Sequence, residues 1–172
     1  MMTVNRVTAR VCLSMVRFFH LDLPMFGTVS SDDHYTGTKA AAFGGTTTVI
    51  DFISQDSDDL AQNFQNLRQK AQEKAAVDFG FHANISHLTP EVEQQIPELV
   101  NFGVTSVKVF TAYNNRLRLQ DGEIFRVMRI AREAGILTMM HAENGDLIEM
   151  LTDEAIKAGH TSPMWHAKTR PA

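Results

Sequence analysis

The chain has 172 residues, enough for one domain with a sizeable core, and its 44% hydrophobic and 21% charged content reads as soluble and globular, not as a disordered tail. A net charge of −4 with no basic block excludes the usual footprint of nucleic-acid binding, and no apolar run reaches the roughly 18 residues of a membrane span. The single cysteine, Cys12, excludes an internal disulfide framework and a cysteine-based zinc knuckle, and it fits a reducing, cytoplasmic setting.

The first stretch, MMTVNRVTARVCLSMVRFF, carries Arg6, Arg10 and Arg17 among Ser and Thr with no acid. That is loosely the composition of an organellar transit peptide; it also fits a β-strand lead-in or a start foreign to the fold. SDDHYTGTKAAAFGG then reads as a helix. TTTVIDF is β-branched and strand-like, and DDLAQNFQNLRQKAQEKA sets Leu60, Phe64, Leu67 and Ala71 at helical spacing among polar residues. VDFGFHANIS predicts the next strand. Thr89 as N-cap and Pro90 at the first helical position open the helix after it, Gly103 closes it, and Pro97 kinks or splits it. SVKVF is a strand, followed by the helix DGEIFRVMRIAREAG with Ile124, Val127, Met128 and Ala131 on one side and Gly135 as its stop. ILTMMHAE predicts another strand, and GDLIEMLTDEAIKAG a helix stopped by Gly159.

Strands and helices thus alternate in four βα units with a fifth before them, at a repeat of about thirty residues, which predicts a parallel sheet with helices outside it. An open doubly wound sheet and part of a (β/α)8 barrel both suit the pattern. G-x-G-x-x-G after a strand, G-x-x-x-x-G-K-[ST] and G-x-S-x-G are all absent, so neither a common nucleotide site nor a serine-hydrolase elbow is supported.

In both architectures chemistry gathers at the carboxyl ends of the strands. Asp51 closes one strand, His87 follows another, Lys108 lies within the next with Tyr113 in its loop, and His141 ends the following one with Glu143 and Asn144 behind it. His20 with Asp22 holds the matching place after the first apolar run. Most isolated histidines in such strands are hydrogen-bonded core residues, the expectation for His34, His82 and His160; His87 could simply cap the helix at Thr89, and His166 serves as structural support. Asn84 heads an N-I-S glycosylation pattern, discounted because it lies in a predicted strand.

Lys108 is the residue that most needs explaining. Val107 and Val109 alternate with Lys108 and Phe110, so the amine shares a face with Phe110. A buried ammonium is normally neutralised, paired or chemically modified. A salt bridge to Asp51 or Glu143 would satisfy it. So would addition of carbon dioxide, giving an anionic carbamate able to bridge two cations near the imidazoles.

The stretches HLDLPMFGTVSSDDHYTGTKAAAFGGTTTVIDF, GVTSVKVFTAY and HAENGDLIEMLT, followed by HAKTRPA, resemble the dihydropyrimidinase and D-hydantoinase family of the amidohydrolase superfamily, from about His20 onward. The resemblance implies a (β/α)8 barrel with a binuclear zinc centre that opens small cyclic amides and imides, dihydropyrimidines or hydantoins, to N-carbamoyl amino acids. By position it makes Lys108 the carbamylated lysine bridging two zinc ions, His141 a ligand of one of them, His20 the second histidine of an H-x-H pair on the other, and Tyr113 the donor to the substrate carbonyl as it becomes an oxyanion. It also implies a homo-oligomer, commonly a tetramer, with no nucleic-acid or membrane partner.

The departures from the family are equally specific. Phe18 stands where H-x-H needs its first histidine, and residues 1–17 match neither the family's approach to that motif nor its β-sandwich. Asp22, by contrast, stands where the neighbouring dihydroorotases and allantoinases have the arginine of H-x-H-x-R, which favours the hydantoinase branch. The expectation is a non-matching segment 1–19 and a partial barrel domain 20–172 with about five of eight βα units, an inactive or impaired piece of a ring-opening hydrolase. The alternative is a non-catalytic scaffold related to dihydropyrimidinase.

Overall fold

The computed structural model describes residues 16–18, 20–25 and 28–171. Seven strands are described: β1 (Val16–Phe18), β2 (Pro24–Met25), β3 (Thr28–Val29), β4 (Thr48–Ile53), β5 (Asp78–Asn84), β6 (Ser106–Phe110) and β7 (Leu137–His141). The helices are α1 (His34–Phe43), α2 (Leu60–Lys74), α3 (Pro90–Gln95), α4 (Asp121–Glu133), α5 (Gly145–Lys157) and α6 (Met164–Lys168), with a 3-10 helix at Ile96–Phe102.

Local chemistry explains most boundaries. Asp33 caps α1 in a capping box with Thr36, Asp59 accepts from the Gln62 amide at the start of α2, and Thr89 accepts from Val92 ahead of Pro90. Pro97 cannot supply the amide a continuing α-helix needs, and the chain tightens there into the 3-10 helix, which ends at Gly103 with φ 79°.

Five parallel strands form one sheet in the order β1-β4-β5-β6-β7, while β2 and β3 pair in a small antiparallel ribbon that the sequence pattern did not announce. Within the five-stranded sheet β4, β5, β6 and β7 add in turn to the same edge, with no reversal of order among the described strands. A doubly wound sheet shows such a reversal at its switch point, and none lies among the described strands. Because β1 pairs with β4 through Val16–Thr48 and Phe18–Ile50, the described part of the first nineteen residues belongs to the sheet.

Strand alternation and register divide the sheet into two faces. Ile53, Phe81, Ala83, Val107 and Val109 pack against Leu60, Phe64 and Ala71 of α2, Val92, Ile96 and Leu99, and Ile124, Val127 and Ala131 of α4. At the centre Phe64 stacks on Phe102 at 4.9 Å and meets Phe81 edge-on at 5.9 Å. Registers Phe52–His82, Asn84–Lys108 and Phe110–His141 put these six residues together on the opposite face.

Two expectations fail here. Met128 is exposed, because α4 touches the sheet along the narrow stripe Ile124, Val127 and Ala131 and Met128 falls on its flank. His160 is also exposed, its ring stacked on Trp165 at 3.9 Å instead of entering a core, since it follows the end of α5.

Candidate active site

Lys108 stands in the middle of β6 on the face away from the helices, its Nζ 4.5 Å from the centre of the Phe52 ring and 5.0 Å from that of Phe110. Neither expected carboxylate pairs with it: Asp51 faces the helix layer and lies against His34, and Glu143 is bound to His141 and Arg170. The two aromatic faces give partial compensation for the ammonium. Burial nevertheless holds the amine below the usual lysine range.

His20 lies just beyond β1, its ring 4.7 Å from Phe52 on one side and open to solvent on the other. Burial against Phe52 and its surroundings lowers its pKa first, the nearby Lys108 charge lowers it further, and Asp51 partly opposes both. Below Phe52 is His82, at 5.0 Å, with Nδ1 in a short hydrogen bond to the Ser106 hydroxyl. As expected, His82 and His34 are buried.

His141 ends β7. Its ring lies 5.9 Å from Phe110 and 5.1 Å from Tyr113, and its Nε2 is 2.5 Å from Glu143 Oε2. Tyr113 adopts a left-handed backbone, φ 65°, and its carbonyl accepts the amides of Arg116 at 3.1 Å, Leu117 at 3.1 Å and Arg118 at 3.3 Å. Non-glycine residues held in this region carry strain, which concentrates where a side chain must be aimed.

His20, Lys108, Tyr113 and His141 all line one cleft of about 400 Å³, together with Asn84 and Phe110. Asn84 Oδ1 is buried without a hydrogen-bond partner among the described residues. His87 lies outside this cleft, 2.5 Å from Asp58, and Thr89 rather than His87 caps α3. Asn144 caps α5 through the Leu147 amide, at 3.0 Å. Sequence reasoning missed Asn84 and the aromatic floor of Phe52 and Phe110; strand alternation carried that signal, but the register joining β4, β5 and β6 is needed to read it.

Two imidazoles around an amine suit zinc in kind once the amine is deprotonated or carbamylated. In number the donors fall short: among the described residues no three or more His, Cys, Asp and Glu side chains cluster closely enough to hold a metal ion.

The chain is 47% identical over 154 residues to a D-hydantoinase of Geobacillus stearothermophilus, covering 88% of this chain and 33% of that protein. To a D-hydantoinase of Streptomyces coelicolor it is 42% identical, with 89% and 33% covered. A crystal structure of D-hydantoinase superposes with a TM-score of 0.85 at 46% identity, over 89% of this chain and 34% of that one. Dihydropyrimidinase from Brevibacillus agri gives 0.85 at 43% identity, over 91% and 34%. The chain therefore spans about a third of the length of these relatives. The model described as "Amidohydrolase family" matches residues 5–168, beginning inside the segment 1–19, and on that match the chain belongs to the amidohydrolase family.

Proposed function

We propose that this chain carries part of the active site of a metal-dependent cyclic amidohydrolase that opens dihydropyrimidine or hydantoin rings to N-carbamoyl amino acids. The five βα units are then part of a (β/α)8 barrel, with the cleft at the carboxyl ends of its strands. The observation that carries the reading is the meeting of His20, Lys108, Tyr113 and His141, drawn from separate parts of the chain, at one cleft.

In this reading the Lys108 ammonium gives up one proton, and the resulting amine adds carbon dioxide, forming the N–C bond as one C=O π bond opens to the carboxylate and releasing a second proton, which turns a partly buried cation into an anion. Two zinc ions held by that carbamate with His20 and His141 would supply Lewis-acid polarisation of the amide carbonyl and a lowered pKa for the attacking water. Tyr113 donates a hydrogen bond to the carbonyl oxygen as negative charge develops there, a task its fixed backbone suits. Asn84 Oδ1 offers an acceptor for a ring N–H. In this reading the protein works in the cytoplasm as a homo-oligomer, without nucleic-acid or membrane partners. Among the described residues no helix is long and apolar enough to cross a membrane.

Phe18 and the shortage of ligands favour a second reading, a chain with impaired turnover or a non-catalytic scaffold. Zinc analysis of the purified protein, with ring-opening assays on dihydrouracil and hydantoin in bicarbonate buffer, separates the readings. Weak Lys108-dependent turnover with bound zinc supports the hydrolase. Absence of both zinc and turnover supports the scaffold.

A further inference from the structure

The helix-facing side of β4 holds a histidine–carboxylate cluster that the chemistry above does not use. His34, the first residue of α1, is 1% exposed, yet each of its ring nitrogens faces a carboxylate: Nδ1 lies 3.5 Å from Asp22 Oδ2 and Nε2 lies 3.3 Å from Asp51 Oδ2. The ring thus sits between two carboxylates, within ion-pair distance of both. The carboxylates belong to different elements: Asp51 to β4 and Asp22 to the loop after β1.

The same loop is held at several points. Asp51 Oδ1 accepts the Leu21 amide at 3.4 Å and the Phe52 amide at 2.7 Å. The Asp22 amide donates to the Asp32 carbonyl at 3.0 Å. Leu21 is 3% exposed and fills the space beside Gly37 of α1, where a Cβ would overlap its side chain. Asp22 itself has φ 50°, a left-handed turn that sends the chain away immediately after His20. The residue before Leu21 lies against Phe52, and the residue before Phe52 is Asp51, so one carboxylate holds the backbone beside both the ring and the imidazole tilted against it.

We infer that His34 is a positioning residue for the cleft: by bridging Asp22 and Asp51 it fixes the loop that sets His20 over Phe52. Its value for catalysis rests on the hydrolase reading above, but the positioning does not, and the two fail separately because the test reads a ring position and not turnover.

Phe52 provides the probe. His20 and His82 both contact its ring, at 4.7 Å and 5.0 Å, so both imidazole signals in a histidine-labelled NMR spectrum carry its ring-current displacement. His34→Phe fills the site without bridging it. Asp22→Asn removes one charge, and asparagine tolerates the left-handed backbone at that position. Both variants are expected to lose the displacement of the His20 signal while that of His82 stays native. A native His20 signal in a folded variant, with His82 unchanged, overturns the inference. If His34→Phe fails to fold, seen as loss of the His82 displacement, Asp22→Asn decides alone by the same two signals. Failure of the zinc and ring-opening assays alongside a displaced His20 would leave the tie standing and remove only its catalytic purpose.

Discussion

At the scale of single residues, the state of Lys108 decides most. Burial lowers its pKa from the ordinary 10.5, so between the folded and unfolded values the folded protein binds fewer protons at this site. The resulting penalty is full below the folded pKa and disappears as pH rises through the unfolded one. Lys108→Met, in bicarbonate-free buffer at pH 7, is therefore expected to raise stability, and the gain should shrink as pH approaches that of the free amine. Thermal melts across pH check both the gain and its slope; a gain that grows at high pH would reverse the assignment. The amine itself is legible in the sequence, because a lysine between two valines in a strand can share a face only with its next-but-one neighbours. Its aromatic surroundings are not, since Phe52 lies more than fifty residues away and reaches Lys108 only through the intervening strand.

At the scale of elements, caps and stripes make separable predictions. Asp59→Ala removes the acceptor of the Gln62 amide and should lower stability by about 1 kcal/mol in urea titrations. Phe64→Ala opens the stacked cluster with Phe81 and Phe102 and should lower it by about 3–5 kcal/mol. Met128→Ala, on the exposed flank of α4, should change it by less than about 0.5 kcal/mol, although the helical pattern alone places Met128 with the core residues. Asp33 has its carboxyl held well below the usual range by the Thr36 amide and then by Lys74, whose Nζ is 2.9 Å away. That contribution is present above the ordinary carboxylate pKa and is lost only as pH falls through the depressed one, so helical circular dichroism from α1 should persist into moderate acid. The elements and their limits were legible because caps, prolines and left-handed glycines act within a few residues. Met128 was misread because a helix's apolar stripe is wider in sequence than the contact its neighbours allow.

At the scale of the whole molecule, the sheet order gathers residues from four strand ends into one cleft, and the ligand count then becomes the testable quantity. Position 18 pairs with Ile50 in β1, in register with the β4 strand that carries Phe52. Phe18→His restores an imidazole two residues before His20 and should tighten zinc binding by at least ~10-fold, measured by competition with a chromophoric chelator. Unchanged affinity would mean that His20 and position 18 do not face one ion. By itself the sequence determined the βα alternation and the capped ends of the helices, because periodicity and local backbone chemistry act over short spans; His20, Lys108, Tyr113 and His141 it marked as candidates, through their places in or after strands and through a family resemblance. Only the tertiary structure decided that Asp51 turns to the helix side and His34, that Phe52 and Phe110 flank the lysine, that Asn84 joins the cleft and that Met128 and His160 stay outside the core. Those outcomes depend on strand register and on which faces meet, and neither is set until distant segments pair.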